Sequence, residues 1–90
     1  MAKFTQDPNE IMHIQHINGA LWSTAVRNKG QVKVVLNDGS SIVGRIAGQA
    51  SGNNAGKGGF WAYYGEVTIE DANGKQHAID CLDVDYVTKP

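Results

Sequence analysis

The chain has 90 residues, with eight Lys or Arg against nine Asp or Glu and a formal net charge of −1. This length predicts a single domain, residues 1–90, and a hydrophobic content of 41% favours a folded chain over a disordered one. So balanced a charge argues against a protein that grips nucleic acid by phosphate contacts over its whole surface. Any such binding would come from a local patch, or from a patch repeated by oligomer symmetry.

The cysteine content and the absence of long apolar stretches indicate the cellular compartment in which we expect the protein. A single cysteine, Cys81, excludes an intrachain disulfide and fits a reducing environment. The N-terminus has no apolar core of the length that a signal peptide needs, and no stretch is long and apolar enough to span a bilayer. We therefore expect a cytoplasmic protein with no membrane partner.

The first third of the chain predicts a helix over about 8–28. Asp7 is suited to cap the free amide groups, Pro8 to the first helical position and Glu10 to the acid of a capping box. At the other end, Gly30 can adopt the left-handed conformation that commonly ends a helix.

Helical periodicity gives this segment an apolar and a polar side, although Asn18-Gly19 in the middle leaves two shorter helices as an alternative. The apolar side carries Ile11, Ile14, Ile17, Leu21, Trp22 and Ala25. The polar side carries His13, His16, Ser23, Thr24 and Arg27.

From Gln31 onward the apolar period changes to two, which is typical of strands. Five strands at short spacing are predicted between about residues 31 and 88, with tight turns at Asn37–Gly39 and at Asp71–Gly74. Gly44 and Gly48 within the second strand predict strong bending. One helix followed by five short, bent strands predicts a mainly β fold, a small antiparallel barrel of SH3 type that closes on itself.

The segment "SGNNAGKGGFWAYYG", residues 51–65, is rich in glycine and then in aromatic residues. It is not a P-loop, because Ser51 stands where the first glycine should be and Gly58 follows Lys57. A dinucleotide fingerprint is excluded because no strand-to-helix step surrounds it and Trp61 takes the place of the last glycine. Two interpretations remain open: a surface on which nucleic-acid bases stack, and a plain hairpin loop.

No metal, cofactor or catalytic site is predicted. His13 and His16 lie one helical turn apart without a third ligand, so a solvated face explains them better. The spacing of Asp80, Asp83 and Asp85 does not match a calcium loop. No nucleophile and base are spaced as a catalytic pair, and a small barrel offers little cleft volume, so we do not expect an enzyme.

The first two predicted strands, "VKVVLNDGSSIVGRIAG", resemble the first motif of the Sm-like (LSm) family. That motif is an alternating apolar strand, an Asn/Asp-Gly turn and a glycine in a bent second strand. The bacterial Hfq branch is the most similar in pattern, since it too opens with a short capped helix and has a His-Ala-Ile run. The matching residues are Val32, Val34, Leu36, Asp38, Gly39, Gly44, Ile46, His77, Ala78 and Ile79.

This resemblance implies an Sm-like five-stranded barrel that assembles into a homo-oligomeric ring, a hexamer or a heptamer. The fourth strand of one barrel would pair with the fifth strand of the next. The resemblance also implies single-stranded RNA as the partner, held at the pore side without catalysis. The residues expected to contact RNA are His77, Gln76, Asn53, Asn54, Lys57, Phe60 and Gln6.

A second hypothesis is a structural or protein-interaction oligomer that keeps the barrel and does not bind RNA. Two features favour it. Gln76 stands where the Hfq branch carries a lysine, and Asp80, Asp83 and Asp85 gather negative charge nearby. Under this hypothesis the aromatic third strand would contact a protein partner.

Overall fold

The computed structural model describes residues 2–90 and consists of one helix packed on a single five-stranded antiparallel sheet. The mainly β fold with an N-terminal helix is therefore confirmed. Short 3₁₀ turns lie at Lys57–Gly59 and Cys81–Asp83. The elements are α1 (Pro8–Arg27), β1 (Gln31–Leu36), β2 (Ser41–Asn53), β3 (Tyr63–Glu70), β4 (Gln76–Asp80) and β5 (Val84–Thr88).

The sheet has the strand order β4-β3-β2-β1-β5, which makes β4 and β5 its two edges. Strand β4 pairs with β3 and strand β5 pairs with β1, and β4 and β5 do not pair with each other. The chain passes between them through the turn Cys81–Asp83 instead of a hairpin. The chain therefore has two edge strands at which further backbone pairing can occur.

The start of α1 is capped much as the sequence predicts, with one difference. The Asp7 carboxylate accepts a hydrogen bond from the Asn9 N–H at 2.8 Å. The Asp7 N–H, however, donates to the Thr5 hydroxyl, and this hydroxyl donates to the Glu10 carboxylate. Glu10 thus supports the cap through Thr5 and does not reach the cap amide directly.

Helix α1 runs without a break through Gly19, so the alternative of two shorter helices is excluded. Ile17 and Leu21 are fully buried on the apolar side, as the periodicity predicts. Trp22 does not share that burial, since 68% of it is exposed. Its position about 100° around the helix from Leu21 carries it beyond the surface that the sheet covers.

The two histidines of the polar side have different surroundings. His16 is exposed, as expected. His13 is half-buried, and its Nε2 donates to the Val84 carbonyl at 2.6 Å, so the expectation of a solvated His13 was wrong. This bond ties α1 to the beginning of the edge strand β5.

Gly44 of the second strand lies against the backbone of β3. A Cβ atom added at Gly44 would lie 2.2 Å from the Glu70 carbonyl oxygen, so only glycine lets the two strands come this close. Gly48 differs, because a Cβ there would lie 4.0 Å from the Thr68 Cβ, an ordinary contact. The close approach of β2 to β3 therefore depends on Gly44, while the irregular pairing of these strands lies between Ile46 and Gly48.

Strands β2 and β3 form a long hairpin that extends past the rest of the sheet. Pairing continues to Asn53 opposite Tyr63, so Ser51 and Gly52, which the sequence placed in a loop, belong to β2. The N-terminal segment covers the edge of β3 at this point, with Thr5 and Tyr63 exchanging two backbone hydrogen bonds of 2.8 and 2.9 Å. We call residues 53–63 the hairpin end.

Candidate nucleic-acid interface

The hairpin end is organised by the side chain of Asn54. Its amide oxygen accepts hydrogen bonds from the N–H groups of Gly56 at 3.2 Å and Ala62 at 3.0 Å. Its amide nitrogen donates to the carbonyls of Lys57 and Phe60, both at 3.2 Å. These four bonds use every donor and acceptor of an asparagine amide. Asn54, one of the expected RNA contacts, therefore has no hydrogen-bonding group left for a base and holds the loop in shape instead.

Two glycines of this loop lie beneath aromatic rings. Gly56 and Gly58 have positive φ angles of 73° and 78°. A Cβ atom at Gly56 would lie 3.3 Å from the ring of Trp61, and one at Gly58 would lie 3.1 Å from the ring of Phe60. Each ring thus rests on bare backbone. Their outer surfaces remain open, with 57% of Trp61 and 47% of Phe60 exposed.

A second aromatic pair lies beside the hairpin end. The rings of Phe4 and Tyr64 meet edge to face with centroids 5.1 Å apart, and 45% of Phe4 is exposed. Tyr64 lies over Gly52, where a Cβ atom would come within 3.2 Å of its ring. Sequence analysis missed Phe4 altogether, because nothing local connects it with a strand so distant along the chain.

The hairpin end carries one lysine and free amide groups, and the carboxylates of Asp7 and Glu10 lie beside it next to Thr5. Lys57 is exposed and is the only charged residue of segment 51–65. Asn53 is exposed, and its amide oxygen accepts from the Ala55 N–H at 2.8 Å, which leaves its amide nitrogen as a donor. Gln6 is exposed and follows Thr5, which places it at the same end.

The other two expected RNA contacts lie far away. His77 pairs with Ile69 and Gln76 pairs with Glu70, at the opposite end of β3 from Tyr63. Six steps along a strand at ~3.3 Å per residue separate Tyr63 from Ile69 by about 20 Å. Within this chain, the fold therefore groups Asn53, Lys57, Phe60 and Gln6 but not His77 or Gln76.

His77 is engaged in the structure of the sheet. Its Nε2 lies 2.8 Å from a carboxylate oxygen of Asp71 in the turn between β3 and β4. This hydrogen bond is the main reason why the pKa of Asp71 lies below its ordinary value, together with backbone bonds from Lys75 and Asn73. The half-buried His77 thus secures the turn.

The three aspartates near β5 have separate surroundings. Asp80 accepts from the N–H groups of Leu82 at 3.0 Å and Lys3 at 3.2 Å, so it caps the 3₁₀ turn and anchors the N-terminal segment. Asp83 and Asp85 are exposed. Within residues 2–90, no three His, Cys, Asp or Glu side chains are grouped closely enough to hold a metal ion.

The fold is similar to that of a protein from Xanthomonas campestris whose crystal structure is described as a novel variant of the Sm-like motif. The TM-score is 0.73, and the match covers 100% of this chain and 95% of that one. The fold is Sm-like. At 18% sequence identity the similarity concerns the Sm-like fold alone. It does not place the chain in the Hfq branch.

No protein-family model and no curated protein matches this sequence. Across residues 2–90 no helix has the length and apolar character needed to cross a membrane. The groups that indicate a function are the exposed aromatic rings, the lysine and the amide groups of the hairpin end.

Proposed function

We propose that this protein is a non-catalytic binding module that forms a homo-oligomeric ring and holds single-stranded RNA at the hairpin end. The observation that carries the proposal is the exposure of Phe60 and Trp61 beside Lys57, in a segment that contains no acidic residue. Unpaired bases stack on such rings, with about 1–3 kcal/mol per base, and a lysine pairs with the phosphate backbone. Asn53 and Gln6 supply hydrogen bonds beside them.

The proposed ring rests on the two sheet edges. Strands β4 and β5 are the outermost strands of the sheet, and antiparallel pairing of β4 in one subunit with β5 in the next would complete each barrel. The Sm-like fold, and the resemblance of the first two strands to the first motif of the Sm-like family, support a hexamer or a heptamer. A ring repeats the hairpin end in every subunit, so weak single contacts add up on one RNA strand even though each subunit has a net charge of −1.

His77 and Gln76 are left out of the proposed contact set. His77 Nε2 is bonded to Asp71, and both residues lie about 20 Å along β3 from the hairpin end. Single-stranded RNA remains the proposed partner, but the proposed RNA contacts lie at the hairpin end and not at His77.

Fluorescence anisotropy of labelled oligo-U and oligo-A RNA at several salt concentrations tests this proposal. We expect Phe60→Ala to reduce the binding free energy by about 1–3 kcal/mol. Lys57→Ala should reduce the slope of log affinity against log salt concentration by about one, because one phosphate contact is lost. Lys75→Ala is the matched control, because Lys75 is an exposed lysine in the turn at the far end of β3. Equal losses for Lys57→Ala and Lys75→Ala would contradict a site at the hairpin end.

A second candidate function, a protein-interaction oligomer, is favoured by one specific observation. Met12, Trp22 and Val26 project from α1 with 66%, 68% and 63% of their surfaces exposed. Exposed tryptophan is typical of protein interfaces. Under this alternative the wild-type protein binds neither RNA at low salt. Trp22→Ser would then change the mass of the oligomer measured by light scattering.

A further inference from the structure

A groove of about 200 Å³ lies between α1 and the hairpin of β2 and β3. It faces the helix side of the sheet, next to the hairpin end. The Gln49 amide nitrogen donates to Asn18 Oδ1 at 3.0 Å, which bridges the helix and the hairpin. The residues that line the groove include apolar Ile11 and Ile14, polar Gln15 and Asn18 from the helix, and Ser51, Asn53 and Tyr63 from the hairpin.

Several polar groups in the walls have no partner among the residues that the structure describes. Within residues 2–90, the side chains of Gln15, Ser51 and Tyr63 form no hydrogen bond with another protein group. Asn18 and Asn53 use their amide oxygens for Gln49 and Ala55, which leaves both amide nitrogens as donors. The groove thus combines an apolar surface, a tyrosine ring and a set of donors and acceptors.

The size and chemistry of the groove restrict its occupant. Sites for drug-sized ligands have volumes of about 300–1,000 Å³, so a groove of about 200 Å³ suits one small ring system and not a folded partner. A glutamine amide with both its donor and its acceptor free, as in Gln15, matches the paired donor and acceptor edge of a nucleobase, and Asn18 adds N–H donors. Unpaired RNA bases are commonly recognised by such edge contacts together with aromatic side chains.

We infer that the groove holds a single unpaired nucleobase. Gln15 and Asn18 would form hydrogen bonds with the polar edge of the base, and Tyr63 would contact the base. The inference rests on the proposed function, because RNA lying on the hairpin end passes the mouth of the groove at Tyr63 and Asn53. Stacking on Phe60 and Trp61 is tolerant of sequence, whereas hydrogen bonds to a base edge are selective. The groove is therefore the place where the protein distinguishes one base from another.

Titration of ¹⁵N-labelled protein with adenosine and with uridine tests the groove directly, since neither nucleoside carries a phosphate. We expect one of them to shift the side-chain amide signals of Gln15, Asn18 and Asn53. Gln15→Leu and Tyr63→Phe should each weaken this binding by roughly threefold to tenfold, the effect of one hydrogen bond. His16→Leu, on the exposed side of the same helix, is the matched control and should change nothing.

The outcomes separate this inference from the proposed function. If oligo-U or oligo-A binds in a Lys57-dependent way while neither nucleoside shifts the groove signals, the groove inference is wrong and the RNA site at the hairpin end stands. If a nucleoside shifts the groove signals but no oligonucleotide binds, the nucleobase site stands and the RNA function falls. Since Gln15 is exposed and has no partner within residues 2–90, Gln15→Leu should fold even if Tyr63→Phe does not.

Discussion

Ile14 of the helix lies directly on the backbone of Gly65 in β3. A Cβ atom at position 65 would come within 2.6 Å of Ile14 Cγ2 and 3.1 Å of Cys81 Sγ. The absence of a side chain at Gly65 thus sets the distance between α1 and the sheet. The same distance sets the width of the groove and the position of the hairpin beside the helix.

The contact between Ile14 and Gly65 gives the first prediction. Gly65→Ala should lower the free energy of unfolding by about 1–3 kcal/mol, because the added methyl group overpacks a buried site. Gly48→Ala is the control, since a Cβ atom there would make an ordinary contact of 4.0 Å with Thr68. Urea denaturation measures both. Equal losses of stability would contradict the close packing of the helix on β3.

The second prediction concerns Asn54. Asn54→Ala removes four hydrogen bonds, so the amides of Gly56 and Ala62 should lose protection in hydrogen exchange and the aromatic rings should lose their support. Asn53→Ala removes only the bond from the Ala55 N–H and should leave that protection in place. Unchanged exchange in Asn54→Ala would show that the loop does not depend on this side chain.

The third prediction separates a structural from an RNA-binding role for His77. His77→Ala should leave oligonucleotide affinity unchanged but lower stability at neutral pH, because it removes the hydrogen bond to Asp71. This bond lowers the pKa of Asp71. It therefore contributes to the free energy of unfolding at pH values above 3.8, the ordinary pKa, and this contribution is lost as the pH falls through the pKa of the folded state. The stability difference between the wild type and His77→Ala should therefore shrink in acid. A large loss of RNA affinity would contradict the proposed site.

The fourth prediction concerns alkaline stability. Cys81 is fully buried, and desolvation, helped by the nearby charges of Asp80 and Glu66, raises the pKa of its thiol from 9.0 to about 11. As the pH rises, the unfolded chain loses the thiol proton before the folded chain does. The free energy of unfolding should therefore decrease between pH 9 and about 11, by at most about 1.4 kcal/mol per pH unit. Cys81→Ala should lack this part of the slope. An identical pH dependence in both proteins would exclude Cys81 as its source.

Much of the fold could be predicted because its signals are local. Asp7 and Pro8 start the helix, and alternating apolar residues with the turn Asn37–Gly39 define the first two strands. Gly44 marks the close contact with β3, since a strand glycine often indicates a close backbone approach. These signals act over a few residues, so the sequence alone displays them.

The rest depends on which residues meet in three dimensions. Trp22 and Leu21 are neighbours in an apolar stretch, and only the width of the sheet decides that one is exposed. The bond from His13 to Val84 and the pairing of Thr5 with Tyr63 join distant segments. The separation of His77 from the hairpin end follows from strand register, which no short motif reveals.

The most direct test of the central claim is size-exclusion chromatography with light scattering, run with the protein alone and then with short oligo-U and oligo-A RNA. We expect a hexamer or a heptamer whose mass increases with RNA, and Lys57→Ala and Phe60→Ala rings that keep their size but take up less RNA. A monomer would contradict assembly through β4 and β5. A ring whose mass does not change with either RNA would contradict an RNA site at the hairpin end.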